Sequence, residues 1–100
     1  MKQNSIGFTT ATKGNSIKLS ISPNPNNGSF TLSINNSNAK TNETYHIEIY
    51  DVIGNLLHSE EIRGESSVIT NMQMESLSKG MYFLSLKTKD SLLTTSFVVQ

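Results

Sequence analysis

The sequence predicts an all-β protein, a seven-stranded antiparallel Ig-like β-sandwich. Three observations lead there. The polar residues are mainly Ser, Thr and Asn, which compete with helix and favour strands, turns and caps. Seven short strands can be read, most of them by alternation of apolar and polar residues, with frequent turn signals between them. No stretch carries a helical period, and short alternating runs at this spacing describe a sandwich.

The elements follow in order. Residues 1–16, "MKQNSIGFTTATKGNS", are polar and without period, and read as a linker or the tail of an upstream domain. Ile17, Leu19 and Ile21 alternate with Lys18 and Ser20 as a half-buried strand. "SPNPNNG" follows, with both prolines of the chain two positions apart. Pro23 and Pro25 fix φ and lack amide donors, so residues 22–27 are expected to form a stiff loop, with Gly28 turning the chain into Phe30. Phe30, Leu32 and Ile34 repeat the alternation. After the polar stretch "NNSNAKTNE", Tyr45, Ile47 and Ile49 face one way while His46, Glu48 and Tyr50 face the other.

"DVIGN" reads as a tight hairpin, Asp51 accepting from the amides ahead of it and Gly54 taking positive φ. In the next strand Leu57 and Ile62 cannot share a face, which a bulge, an edge position or a switch of sheets resolves. Val68, Thr70, Met72 and Met74 alternate again. "LSKG" turns with Leu77 tucked under and Gly80 closing it. Tyr82, Leu84 and Leu86 then oppose Phe83, Ser85 and Lys87, and residues 89–91 lead into the last strand. The expected core is Leu19, Ile21, Phe30, Leu32, Ile47, Ile49, Tyr82, Leu84 and Leu86.

One hundred residues at 35% hydrophobic make one domain with a small core. Eight basic residues balance eight acidic ones, so no electrostatic footprint points to nucleic acid or an anionic membrane. No apolar run is long enough to span a bilayer, and membrane insertion is not expected. Without cysteine there is no disulfide frame, thiolate nucleophile or Cys-based zinc site.

Three blocks then carry a family signature: "SPNPNNGSFTL", "IEIYDVIGNLL" and "LSKGMYFLSL", followed by the apolar "FVVQ". In this order they resemble the type A C-terminal sorting domain of the type IX secretion system of Bacteroidetes, over residues 17–100. The signature and turn positions are Pro23, Asn24, Pro25, Gly28, Tyr50, Asp51, Gly54, Leu77, Gly80 and Tyr82. Two positions depart from the family pattern: Asn55 stands where Arg or Lys usually follows the hairpin glycine, and Ser96 where Lys precedes the final apolar residues.

The resemblance implies an address label without chemistry. Such a domain directs an attached cargo from the periplasm through the outer-membrane translocon to the cell surface or medium. A sortase-like peptidase commonly removes it and transfers the cargo to surface lipopolysaccharide. The partners implied are the type IX translocon and its shuttle proteins, that peptidase, and an upstream cargo domain in cis; no cofactor is implied and the domain is expected to act as a monomer. Phe97, Val98, Val99 and Gln100 are the residues expected to be recognised, as an edge strand whose free backbone groups a receptor uses by strand addition.

Catalysis has little support. His46 and His58 are the only histidines, both on positions expected to face solvent, with Glu48 and Glu60 two residues away on the same faces. Solvated polar faces explain them better than an acid–base pair or a metal site. Asp51 lacks the acidic neighbours of a calcium loop. The sequons at Asn27, Asn35 and Asn42 read as coincidence in a Ser- and Asn-rich chain. Tyr50, Met81 and Phe83 are apolar yet predicted to face outward, and together on adjoining strands they would form a docking patch. A second reading is an Ig-like or fibronectin-like accessory module binding carbohydrate or another domain of its own protein, although the chain has no Trp to offer a sugar.

Overall fold

The computed structural model describes residues 17–74 and 76–100; the expected linker, residues 1–16, lies outside them. Seven strands follow one another: β1 (Ile17–Ser22), β2 (Ser29–Asn36), β3 (Glu43–Tyr50), β4 (Leu56–Gly64), β5 (Ser67–Gln73), β6 (Gly80–Lys87) and β7 (Leu92–Val99). They form a three-stranded sheet, β1-β2-β5, and a four-stranded sheet, β4-β3-β6-β7, and every strand pair is antiparallel. In the constant-type immunoglobulin arrangement the fourth strand joins the sheet of the first, second and fifth. Here it pairs with β3 instead.

Alternation accounts for the core. Ile17 and Leu19 of β1, Phe30, Leu32 and Ile34 of β2, and Tyr45, Ile47 and Ile49 of β3 are buried in one cluster. Met72 of β5, Tyr82, Leu84 and Leu86 of β6, and Leu93, Phe97 and Val99 of β7 complete it. Of the expected core residues only Ile21 is partly exposed, packing against the cluster from its margin. The Phe30 and Phe97 rings meet at 4.8 Å across the two sheets, and Tyr82 stacks on Phe97 at 5.7 Å. Offset aromatic contacts of this kind add to what burial alone contributes.

The Tyr45 hydroxyl needs partners inside this core, and it has them. It donates to the Glu65 carbonyl at 2.9 Å and accepts from Asn36 Nδ2 at 3.1 Å. Burial pushes its pKa up, so the neutral phenol is the form that bridges β2, β3 and the β4–β5 crossing. Its ring lies over Gly64, where even an added Cβ would sit 2.7 Å from Tyr45 Cε1.

Strand β4 answers the parity conflict and corrects one expectation. A register shift between Ile49 and Tyr50 sets Tyr50 opposite Leu56 and Ile49 opposite His58. Leu57 therefore faces outward and is 41% exposed, while Ile62 packs against the core. His58 was expected to face solvent, but it shares the inward side with Glu60 and Ile62 and is half-buried, with His58 Nε2 2.6 Å from Glu60 Oε1. β4 is the outer strand of the wider sheet, so a three-stranded sheet opposite leaves room for polar groups on its inner side. His46 does face solvent, paired with Glu61 at 3.2 Å rather than with Glu48.

Candidate recognition site

All three signature blocks fold at one end of the sandwich, around the C-terminal end of β7. The hairpin 51–55 is organised by Asp51. Its Oδ1 accepts from the amides of Ile53 at 3.0 Å and Asn55 at 2.9 Å, and its Oδ2 accepts from Asn55 Nδ2 at 2.9 Å. Asn55, standing where a basic residue is usual, is thus spent on closing the turn. Gly54 takes φ 94°, a conformation that a β-branched residue adopts only under strain.

The amide of Asn55 bonding the charged carboxylate is the main reason the Asp51 pKa lies below its ordinary value. A depressed folded pKa contributes stability above the unfolded value, and that contribution is lost as pH falls through the folded one. Asp51→Ala is therefore expected to melt below wild type at neutral pH. The gap should narrow as pH falls below the ordinary carboxylate value of about 4 and on through the lowered folded one. Thermal melts followed by circular dichroism across that range check this; a gap independent of pH would mean that the carboxylate does not hold the turn.

The turn before β6 is held by two bonds. The Leu77 amide donates to the Met74 carbonyl at 3.1 Å, with Leu77 packed against the core, and the Tyr82 hydroxyl donates to the Ser78 carbonyl at 2.6 Å. Gly80 then opens β6 opposite Val99.

The Pro-Asn loop is more than a stiff connector. Both X-Pro bonds, Ser22–Pro23 and Asn24–Pro25, are cis. Asn26 is buried; its Nδ2 donates to the Pro23 carbonyl at 3.0 Å and its Oδ1 accepts from the Gly28 amide at 2.8 Å. Its backbone runs parallel to β7: the Asn26 amide donates to the Val98 carbonyl at 2.9 Å, and the Gln100 amide donates to the Asn26 carbonyl at 2.8 Å. Asn24 Oδ1 accepts from the Val98 amide at 3.0 Å. Both backbone groups that Val98 turns away from β6 are therefore taken. The edge expected to be open for strand addition is already occupied over its C-terminal half, by the chain's own loop.

That finding redistributes the four terminal residues. Phe97 and Val99 point into the core, while Val98 faces outward beside Met81 and Gln100 is exposed. The outward face of the four-stranded sheet is thereby defined at this end. Tyr50 stands opposite Phe83 across β3 and β6, and Met81 stands opposite Val98 across β6 and β7. Leu56 and Leu57 continue the apolar surface on the β4 side, 51% and 41% exposed, and Val52 and Ile53 at the hairpin tip are 63% and 80% exposed. Along the same face toward the other end stand Glu48, His46, Glu61, Arg63 and Lys87. The Tyr50 hydroxyl donates to Glu48 Oε1 at 2.6 Å, marking the boundary; this bond raises the Tyr50 pKa and keeps the phenol neutral.

The outward Tyr50, Met81 and Phe83 read from parity are thus brought together, and Val98 and Leu57 join them. Parity could not reveal the roles of Asn24 and Asn26 on β7. The available signal was two Asn residues interleaved with prolines, where short amide side chains satisfy neighbouring backbone. Among the described residues no group of three or more metal-ligating side chains gathers, and the two histidines lie on opposite sides of their sheet.

The loops and the last strand of this sandwich converge at one end, beside the apolar part of the outer sheet face. Residues 20–100 match the family model of the secretion system C-terminal sorting domain, and the chain belongs to that family. No match to a curated protein accompanies it. The chain is accordingly a non-catalytic sorting domain that directs cargo into type IX secretion.

Proposed function

We propose that the apolar end of the outer face, built from Tyr50, Leu57, Met81, Phe83 and Val98, is the surface read by the type IX translocon and its shuttle proteins. The observation that carries this reading is the strand register, which gathers two of the signature blocks and the terminal FVVQ into one apolar patch. Residues 1–16 are the linker to an upstream cargo domain or the tail of that domain, and the cargo crosses the periplasm to the cell surface or medium. A sortase-like peptidase then removes the domain, with the cargo passed to surface lipopolysaccharide or released.

The test is a periplasmic reporter fused to residues 17–100 in a bacterium carrying the type IX machinery. The wild-type fusion should leave the cell. Met81→Lys combined with Phe83→Lys should keep the reporter in the periplasm, while the purified variant still melts cooperatively with the strand signature of wild type. A folded double variant that is exported as well as wild type would show that recognition lies on another surface.

A further inference from the structure

The sandwich presents four sheet edges, and they are not equally guarded. On β4 the edge carries His58, Glu60, Glu61 and Arg63, charges of the kind that discourage pairing. On β7 the Pro-Asn loop covers the C-terminal half. β1 is a six-residue strand with Lys18 exposed, and it comes close to β7 where the two sheets meet. β5 has none of these protections. Its sequence, SVITNMQ, contains no charge, proline or glycine, and among the described strands its only neighbour is β2.

The direction of the β5 backbone follows from its bonds. The Met74 amide donates to the Gly28 carbonyl and the Ser66 carbonyl accepts from the Asn36 amide, so even-numbered residues turn their backbone groups toward β2. In an antiparallel ladder this alternates. Ser67, Ile69, Asn71 and Gln73 therefore direct N–H and C=O to the open edge. The same residues place their side chains on the outer face, where Ile69 is 72% exposed and Asn71 Oδ1 accepts from Thr31 Oγ1 at 3.0 Å.

We propose that the β5 edge pairs antiparallel with the β5 edge of a second copy of this chain, about a two-fold axis through Ile69. This does not rest on the outer patch of the four-stranded sheet, which lies on the other sheet. In this register Ile69 of one copy meets Ile69 of the other, and Ser67 meets Asn71 on either side. All of these residues turn their backbone groups outward, so each N–H finds a C=O. The strand is uncharged and the chain carries equal numbers of acidic and basic residues, so no net repulsion opposes the approach. With the other edges blunted or covered, pairing closes at two copies instead of running on as a filament. A single strand edge buries less than the roughly 1,000 Å² of a stable interface, so the dimer is a weak one, formed at high local concentration.

Sedimentation of the purified domain from about 10 μM to about 1 mM tests this, that range bracketing the affinity of an interface of sub-standard size. Wild type should pass from monomer to dimer. Ile69→Lys and Ile69→Glu should each stay monomeric at every concentration, because like charges then face each other across the axis. Mixed in equal amounts, the two variants should regain the dimer, which a merely structural effect of either change could not produce. A wild type that is monomeric throughout overturns the proposal, as does a mixture that fails to associate while each variant folds. A monomeric wild type whose Ile69→Lys form loses export would assign the edge to a strand of the secretion machinery, and the homotypic proposal would fall.

Discussion

Phe97→Ala is expected to cost about 3–5 kcal/mol, a large share of the roughly 5–15 kcal/mol that holds a small domain together. The ring is fully buried and lies between Phe30 of the opposite sheet and Tyr82 of its own. Truncation leaves a cavity that stiff aromatic neighbours cannot fill. Urea unfolding measures the loss, and a cost below about 1 kcal/mol would mean that β7 does not close the core. The same geometry bears on any attempt to map recognition by trimming the terminus. Deleting residues 97–100 removes Phe97 and Val99 from the core together with the Asn26 bridge, so the trimmed domain should unfold. Failure of its export would then say nothing about a receptor. Val98→Lys, which changes an outward side chain and leaves its backbone bonds in place, separates the two causes.

Gly64→Ala is the second large effect expected. The new methyl would lie 2.7 Å from Tyr45 Cε1, 2.9 Å from Cδ1 and 3.1 Å from Glu43 Cβ. The ring cannot swing away freely, because its hydroxyl is tied to Asn36 and to the Glu65 carbonyl. Overpacking of this kind costs about 1–3 kcal/mol, and each hydrogen bond broken by a shifted ring adds about 0.5–1.5 kcal/mol. A fall in Tm of about 5–20 °C should follow. Pairing Gly64→Ala with Tyr45→Phe checks the cause: freed of its tether the ring can yield, so the double variant should cost less than the sum of the two single changes. Full additivity would place the strain elsewhere.

Local chemistry alone makes much of this legible in the sequence. Alternation located five of the seven strands, because a half-buried strand must place apolar residues at every second position, while the last was placed by the turn before it. The 51–55 and 77–80 turns were readable from Asp51, Gly54 and Gly80, residues whose turn roles are set within a few positions. Strand β4 resisted, since its inner side holds His58 and Glu60 where a covered strand would hold aliphatics; that depends on how wide the opposing sheet is, which no local pattern records. Gly64 carried no signal of its own, and only the register lays Tyr45 over it. The proposed recognition face was half visible. Parity marked Tyr50, Met81 and Phe83 as outward, but their adjacency, and the arrival of Val98 beside Met81, are long-range facts of pairing. Parity also could not say which of three consecutive apolar residues at 97–99 turn inward.

The clasp that Asn24 and Asn26 place on β7 has a consequence for timing. A polypeptide threaded into the periplasm N-terminus first delivers β7 after the other six strands. Until it arrives, Phe30 and Tyr82 lack the ring that packs between them, the Pro-Asn loop has no backbone to hold, and Met81 stands without Val98. The proposed docking surface is therefore complete only once the last of the seven strands has emerged. A domain that lacks β7 leaves Met81 without Val98 and cannot display that surface.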